Sequence, residues 1–267
     1  MTRGKEEIIR AYFRIEYYSK ALRRETSFEV LIPNDPREDT PEPAEGEPMK
    51  TLFLLHGYTG KAGNYVPNEL PGQYNFAIVM PTAENSFYLN GKATGRAYQT
   101  MLGEELVDYV RKTFRLALKP EDTCIAGLSM GGFGAIHTGL AYPERFSKIG
   151  AMSSALIQHE VAAMKPGEGN EVANYDYYLE CFGEPEKLLE SDNNPETLIR
   201  RLKAAGKNIP ELYLCCGTED FLIENNRRMH RFLEEEGIAH EYHEAPGIHD
   251  MVYWTEHIRK IVKWMFE

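Results

Sequence analysis

Asp122-Thr123-Cys124-Ile125-Ala126-Gly127-Leu128-Ser129-Met130-Gly131-Gly132-Phe133-Gly134-Ala135 decides how the rest of the chain is read. A short apolar strand runs into Gly-x-Ser-x-Gly and straight on into a helix of small residues, the context in which a serine is presented on a sharp strand-to-helix turn. Such a turn strains the serine backbone by about 1–3 kcal/mol. Side chains at Gly127 or Gly131 would collide with the strand and helix pressed against it. Met130 opens the helix, so its backbone N–H points outward, unpaired, at the positive end of the helix dipole, where an anionic intermediate would sit. A phosphate-binding turn or a plain Gly/Ser-rich corner would share the pattern; the flanking order of strand, serine and helix favours a nucleophile.

Apolar runs at Thr51–Leu55, Phe76–Met80, Thr123–Ala126, Lys148–Met152 and Leu212–Cys216 are bounded by turn residues and suit strands covered on both faces. Amphipathic helical patterns at Met101–Phe114, Gly131–Tyr142, Ile223–Glu236 and His249–Phe266 alternate with them. That alternation predicts an α/β architecture, a mostly parallel sheet with helices on both faces. Ala11–Tyr18 and Ser27–Ile32 read as an added antiparallel pair, and Pro33–Pro48 as a solvated loop. Ile157–Pro210 breaks the alternation: polar at first, it then offers Tyr175, Tyr177, Tyr178, Phe182 and two short helices. It reads as an insertion over the sheet's C-terminal edge, a partial lid or a plain surface excursion. The whole of 1–267 is expected to be one domain carrying this insertion at 157–210.

A net charge of −11 argues against nucleic acid or an anionic membrane as partner, and solubility explains the acidity more simply. Met1–Glu7 is charged where a signal peptide needs an apolar run, and no later segment is apolar enough to span a bilayer. Cys124, Cys181, Cys215 and Cys216 read as buried thiols, with no disulfide framework and no Cys-x-x-Cys metal site. The expectation is a cytoplasmic protein; a homo-oligomer stays open.

A serine hydroxyl needs a base within hydrogen-bond reach and an acid orienting that base. Gly217-Thr218-Glu219-Asp220-Phe221-Leu222 follows a strand and supplies the acid. Asp220 is preferred over Glu219 because Phe221 and Leu222 would bury it, helix N-capping being its alternative role. His249 lies on the Pro246–Asp250 loop after the last strand, in the order nucleophile, acid, base. His137, His230 and His257 fall on helices and His243 within a strand, where ordinary hydrogen-bonded roles suffice. A metal held by His240 and His243 is disfavoured, since that spacing on a strand puts them on opposite faces. Leu55-His56-Gly57-Tyr58 supplies a second oxyanion donor, the Tyr58 N–H beside that of Met130, with His56 fixing the loop by hydrogen bonds. Phe87, Tyr88, Tyr98, Phe133 and Phe182 are candidates for an apolar acyl or aromatic pocket, with membership of the core as the alternative.

Leu55-His56-Gly57, the Gly127–Ala135 elbow, Gly217–Asp220 and Gly247-Ile248-His249-Asp250 together resemble the esterase D family of α/β-hydrolases. Within it the chain is most similar to the tributyrin-esterase branch of short-chain carboxylesterases and feruloyl or acetyl esterases. Pro81–Tyr88, Tyr98 and Glu104-Glu105-Leu106 also resemble that branch. The similarity spans Thr51 to the C-terminus. It implies the α/β-hydrolase fold and a cofactor-free, metal-free serine hydrolase of small esters, with Ser129, Asp220 and His249 as triad and the Tyr58 and Met130 amides as oxyanion hole. Alternatives are an S-formylglutathione-type thioesterase, an acyltransferase using the same triad, and an inactive binding protein on the same fold. Pro33–Pro48 and Ile157–Pro210 match no subgroup.

Overall fold

The computed structural model describes residues 11–33 and 48–267. The charged Met1–Glu7 segment, and all of the Pro33–Pro48 loop but its two end residues, lie outside the described residues. Among the described residues eight strands form one sheet: β1 (Ala11–Ser19), β2 (Arg24–Ile32), β3 (Lys50–Leu55), β4 (Phe76–Pro81), β5 (Thr123–Leu128), β6 (Lys148–Met152), β7 (Glu211–Gly217) and β8 (His240–Ala245). Their spatial order is β1-β2-β4-β3-β5-β6-β7-β8. The β1–β2 and β2–β4 pairs are antiparallel; every pair from β4 to β8 is parallel. This is the α/β-hydrolase fold.

Among the described residues ten α-helices connect and cover the sheet: α1 (Glu69–Gln73), α2 (Tyr98–Thr100), α3 (Val107–Phe114), α4 (Met130–Ala141), α5 (Gln158–Ala163), α6 (Tyr175–Phe182), α7 (Pro185–Leu188), α8 (Pro195–Ala204), α9 (Ile223–Glu235) and α10 (Met251–Phe266). Alternate residues of each strand point to opposite faces. Phe53, Leu55, Ile125 and Ile149 therefore pack with α3, α4 and α9, while Leu52, Leu54, Cys124 and Ala126 pack under α1 and α10. The helix expected from Met101 begins at Tyr98 and passes through a π-helical stretch, Met101–Leu106, before α3. There Glu105 reaches back to the β1–β2 turn and accepts from the Ser19 hydroxyl and the Lys20 N–H.

Ile157–Pro210 holds four short helices, α5 to α8, where two were expected. The extra two have local causes: Pro185 and Pro195 stand in the first turns of α7 and α8, where a missing N–H costs nothing, and Asn194 caps α8 through its side chain.

The chain leaves β3 for β4 on one side and later enters β5 on the other, so the sheet's direction of winding reverses between β3 and β5. Beyond the carboxyl ends of strands at such a reversal, loops diverge and leave a crevice.

Candidate active site

Ser129 sits at that crevice, one residue beyond β5, with φ 55° and ψ −120°. A Cβ on Gly127 would lie 2.1 Å from the Gly131 carbonyl oxygen, and one on Gly131 would lie 2.4 Å from that of Leu55. Only glycine lets strand, turn and helix approach so closely. The strained turn is held by its own backbone: the Ser129 N–H donates to the Met152 carbonyl at 2.9 Å, and the Ser129 carbonyl accepts from Phe133 and Ala155.

Loops after β7 and β8 bring Asp220 and His249 to the serine. The Ser129 hydroxyl donates to His249 Nε2 at 3.0 Å, and His249 Nδ1–H donates to Asp220 Oδ2 at 2.8 Å and Oδ1 at 3.1 Å. An ionised carboxylate only accepts, so it fixes the proton on Nδ1 and leaves Nε2 free to receive one. Asp220 is 2% exposed. Burial by itself would raise its carboxyl. Hydrogen bonds from His249, the Leu222 N–H and the Ser153 hydroxyl outweigh burial and hold it below the usual carboxylate range.

Phe221 does not bury Asp220, contrary to the sequence reading. It is 72% exposed and lies against the His249 ring, centroids 4.5 Å apart. Trp254 meets the imidazole edge-on at 4.8 Å and donates its indole N–H to the Ser153 hydroxyl at 3.0 Å. Glu219 has a separate task. Its carboxylate accepts the Gly247 N–H at 2.7 Å, and its own N–H donates to the Gly247 carbonyl at 3.1 Å, tying the acid loop to the histidine loop.

The Gly57–Gly60 turn closes over the other side of the serine. A Cβ on Gly57 would stand 3.5 Å from Ser129 Cβ. Tyr58 and Met130 both border the cavity above Ser129, and neither backbone N–H meets an acceptor among the described residues. His56 Nδ1–H donates to the Gly57 carbonyl at 2.8 Å, and Nε2 accepts the Ala83 N–H at 3.0 Å. Burial lowers the His56 pKa against the opposing pull of the Gly57 carbonyl, in keeping with a neutral ring that holds the loop.

Ser129 opens into a cavity of about 890 Å³, lined mostly by apolar groups. Ile157, Val161, Met164, Val172 and Tyr178 form one wall; Phe221, Leu222, Met251 and Trp254 lie about the histidine. Of the five aromatics proposed from sequence, Phe87 alone is in the wall. The other four are core. Tyr88 hydrogen-bonds the His56 carbonyl and fills the space above Gly134. The Tyr98 hydroxyl is drawn to Arg24 at 2.6 Å. Phe133 and Phe182 pack on each other and on Phe87. Elsewhere His240 pairs with His230 at 2.8 Å and His243 with Glu241 at 3.2 Å. Among the described residues no three His, Cys, Asp or Glu side chains gather as metal ligands, and no helix is long and apolar enough to cross a membrane.

Sequence reasoning missed Ser153 and Trp254 behind Asp220, and the α5 wall. Ser153-Ser154 directly after β6 was the available signal for the first. Nothing in the linear pattern marked Trp254, which comes in on α10 just beyond the histidine loop.

A mostly parallel sheet with serine, acid and histidine, in that chain order, on the loops after β5, β7 and β8 defines an α/β-hydrolase. The Esterase family model matches residues 19–265, and the chain belongs to that family. It is 38% identical over 263 residues to an acetyl esterase of Caldicellulosiruptor saccharolyticus, covering 96% of this chain and 98% of that protein. The fold is similar to substrate-bound fluorophosphonate-binding serine hydrolase F of Staphylococcus aureus, with TM-score 0.82, 28% identity, and coverage of 97% of this chain and 99% of that one. It is also similar to an S-formylglutathione hydrolase of Staphylococcus aureus, with TM-score 0.80, 27% identity and the same coverages. The protein is a carboxylic ester hydrolase.

Proposed function

We propose that the protein hydrolyses esters of short acyl groups through an acyl-enzyme on Ser129. The observation that carries this reading is the unbroken contact from Ser129 Oγ through His249 to buried Asp220, at the floor of a cavity. His249 Nε2 takes the hydroxyl proton as Ser129 attacks the ester carbonyl. The Tyr58 and Met130 N–H groups receive the negative charge that develops on the carbonyl oxygen. Collapse of the intermediate expels the alcohol, which takes the proton from His249. Water then repeats the attack, giving up its proton to His249; the bond to Ser129 breaks, the serine oxygen takes that proton back, and the acid is released.

Likeness to an acetyl esterase supports a short acyl group. A cavity of about 890 Å³ exceeds what an acetyl group fills, so the alcohol portion is the larger, mostly apolar part of the substrate. The 157–210 segment, whose α5 and α6 supply part of the wall, acts as a cap over it. Four free, buried cysteines suit a reducing compartment such as the cytoplasm. A second reading, hydrolysis of an S-acylglutathione thioester, draws on likeness to the S-formylglutathione hydrolase.

The test is hydrolysis of p-nitrophenyl acetate through decanoate, methyl ferulate and S-formylglutathione by wild type and Ser129→Ala, with intact-mass detection of a fluorophosphonate adduct. The expected result is turnover falling with acyl length, one adduct per chain, and neither in Ser129→Ala. Preference for the thioester would select the second reading. Methyl ferulate turnover would enlarge the acyl group, and a folded wild type inert to all of them would sink the proposal.

A further inference from the structure

Thr82-Ala83-Glu84-Asn85-Ser86-Phe87-Tyr88 follows β4 and braces the loop that bears Tyr58. A peptide unit is planar, so fixing a carbonyl also fixes the direction of the N–H that follows it. The Gly57 carbonyl receives His56 Nδ1–H at 2.8 Å and the Gly60 N–H at 3.0 Å. The Tyr58 N–H, in the same plane, must point the opposite way. The next plane carries the Thr59 N–H, which donates to Asn85 Oδ1 at 2.7 Å. Thr59 lies at φ 60°, a left-handed conformation that a threonine keeps only when held. Asn85 is itself pinned: its carbonyl accepts the Tyr177 hydroxyl of α6 at 2.8 Å, and the rings of Tyr58 and Tyr177 meet edge-to-face at 6.0 Å.

We propose that Asn85 is a positioning residue that aims the Tyr58 N–H by holding Thr59, and that Tyr177 keeps Asn85 in place. This rests on the reading of the Tyr58 N–H as an oxyanion donor. Asn85 does not border the cavity, so its loss should be felt where charge develops on the carbonyl oxygen and not in ground-state binding.

The experiment measures p-nitrophenyl acetate kinetics and inhibition by a trifluoromethyl ketone for wild type, Asn85→Ala, Asn85→Asp and Ser129→Ala. Losing one oxyanion donor costs about 10²–10³ in turnover, so misaiming one should lower kcat about 10- to 100-fold in Asn85→Ala with KM within about twofold. Affinity for the ketone, whose adduct carries an oxyanion, should fall in parallel with kcat/KM. Asn85→Asp keeps an acceptor for Thr59 and should stay within about threefold of wild type. Asn85→Ser, too short to reach the Thr59 N–H, carries the same expectation should the alanine variant not fold. An unchanged kcat in Asn85→Ala, or an equal loss in Asn85→Asp, would overturn the proposal. An active Ser129→Ala would instead remove the reading beneath it; an inactive Ser129→Ala beside a fully active Asn85→Ala refutes the Asn85 role alone.

Discussion

His137 makes the protein's stability depend on acid in a way that can be worked out in advance. It lies fully buried on α4, the helix that begins at the Ser129 elbow, with its ring stacked on Phe133. Its Nε2–H donates to the Asp192 carbonyl at 2.8 Å, and Nδ1 is buried with no partner. A second proton would have to sit on Nδ1 with no acceptor, in a place water does not reach. Burial accordingly pushes the imidazole down from 6.5 to about 4, against the smaller opposing pull of Asp192. Below pH 6.5 the unfolded chain binds a proton that the folded chain refuses, so stability falls as pH drops from 6.5 toward 4 and levels off below that. At about 1.4 kcal/mol per pH unit, the loss is about 2 kcal/mol by pH 5 and about 3 kcal/mol by pH 4. His137→Gln keeps an N–H for Asp192 and never ionises. Urea unfolding of both proteins at pH 7, 5 and 4 should show the variant gaining on wild type by those amounts, whatever its offset at pH 7. Parallel stability curves would refute the reasoning, because they would mean that the folded protein accommodates the charged ring.

Asp220→Asn should lower kcat about 10³- to 10⁴-fold by favouring the wrong tautomer of His249, whereas Glu219→Gln, acting only through the Gly247 tie, should cost far less. Esterase kinetics on both variants check this, and a larger loss in the glutamine variant would reverse the assignment. Ser153→Ala leaves the buried Trp254 indole N–H without its acceptor and should destabilise by about 1–3 kcal/mol in urea unfolding. The same variant strips a hydrogen bond from Asp220, so its kcat should fall as well.

The Ser129 elbow could be read from sequence because it is local: Gly127 and Gly131 are close in the chain and each excludes a side chain for a reason the spacing exposes. Chain order likewise placed Asp220 and His249, since each follows a strand recognisable by its apolar run. Aromatic function was not legible. Phe87 and Tyr88 are neighbours with left-handed φ of 52° and 56°, and that backbone turns Phe87 to the cavity and Tyr88 into the core. Composition gives both the same score. The acid's surroundings were misjudged in part for a similar reason: Phe221 beside Asp220 in sequence points out to His249, while Leu222 is buried as expected and the Ser153 hydroxyl reaches Asp220 from the end of β6.

Thr59, Phe87, Ser129 and Ser153 are all non-glycine residues at positive φ, and all belong to this one site or its supports. Each such residue costs of order 1–3 kcal/mol, a total comparable to the net stability of about 5–15 kcal/mol typical of a folded domain. The strain persists because the groups around it are over-determined. Ser129 is tied to Met152, Phe133 and Ala155; Ser153 to Cys215 and Trp254; Thr59 to Asn85. Behind them β3, β5, β6 and β7 are buried along almost their whole length, leaving the strand ends no easy direction in which to relax. A parallel sheet delivers its loops to one edge, but loops in relaxed conformations would carry their side chains past one another. Left-handed backbone at Thr59, Ser129 and Ser153 redirects them at the edge where the Ser129 hydroxyl and the His249 ring meet.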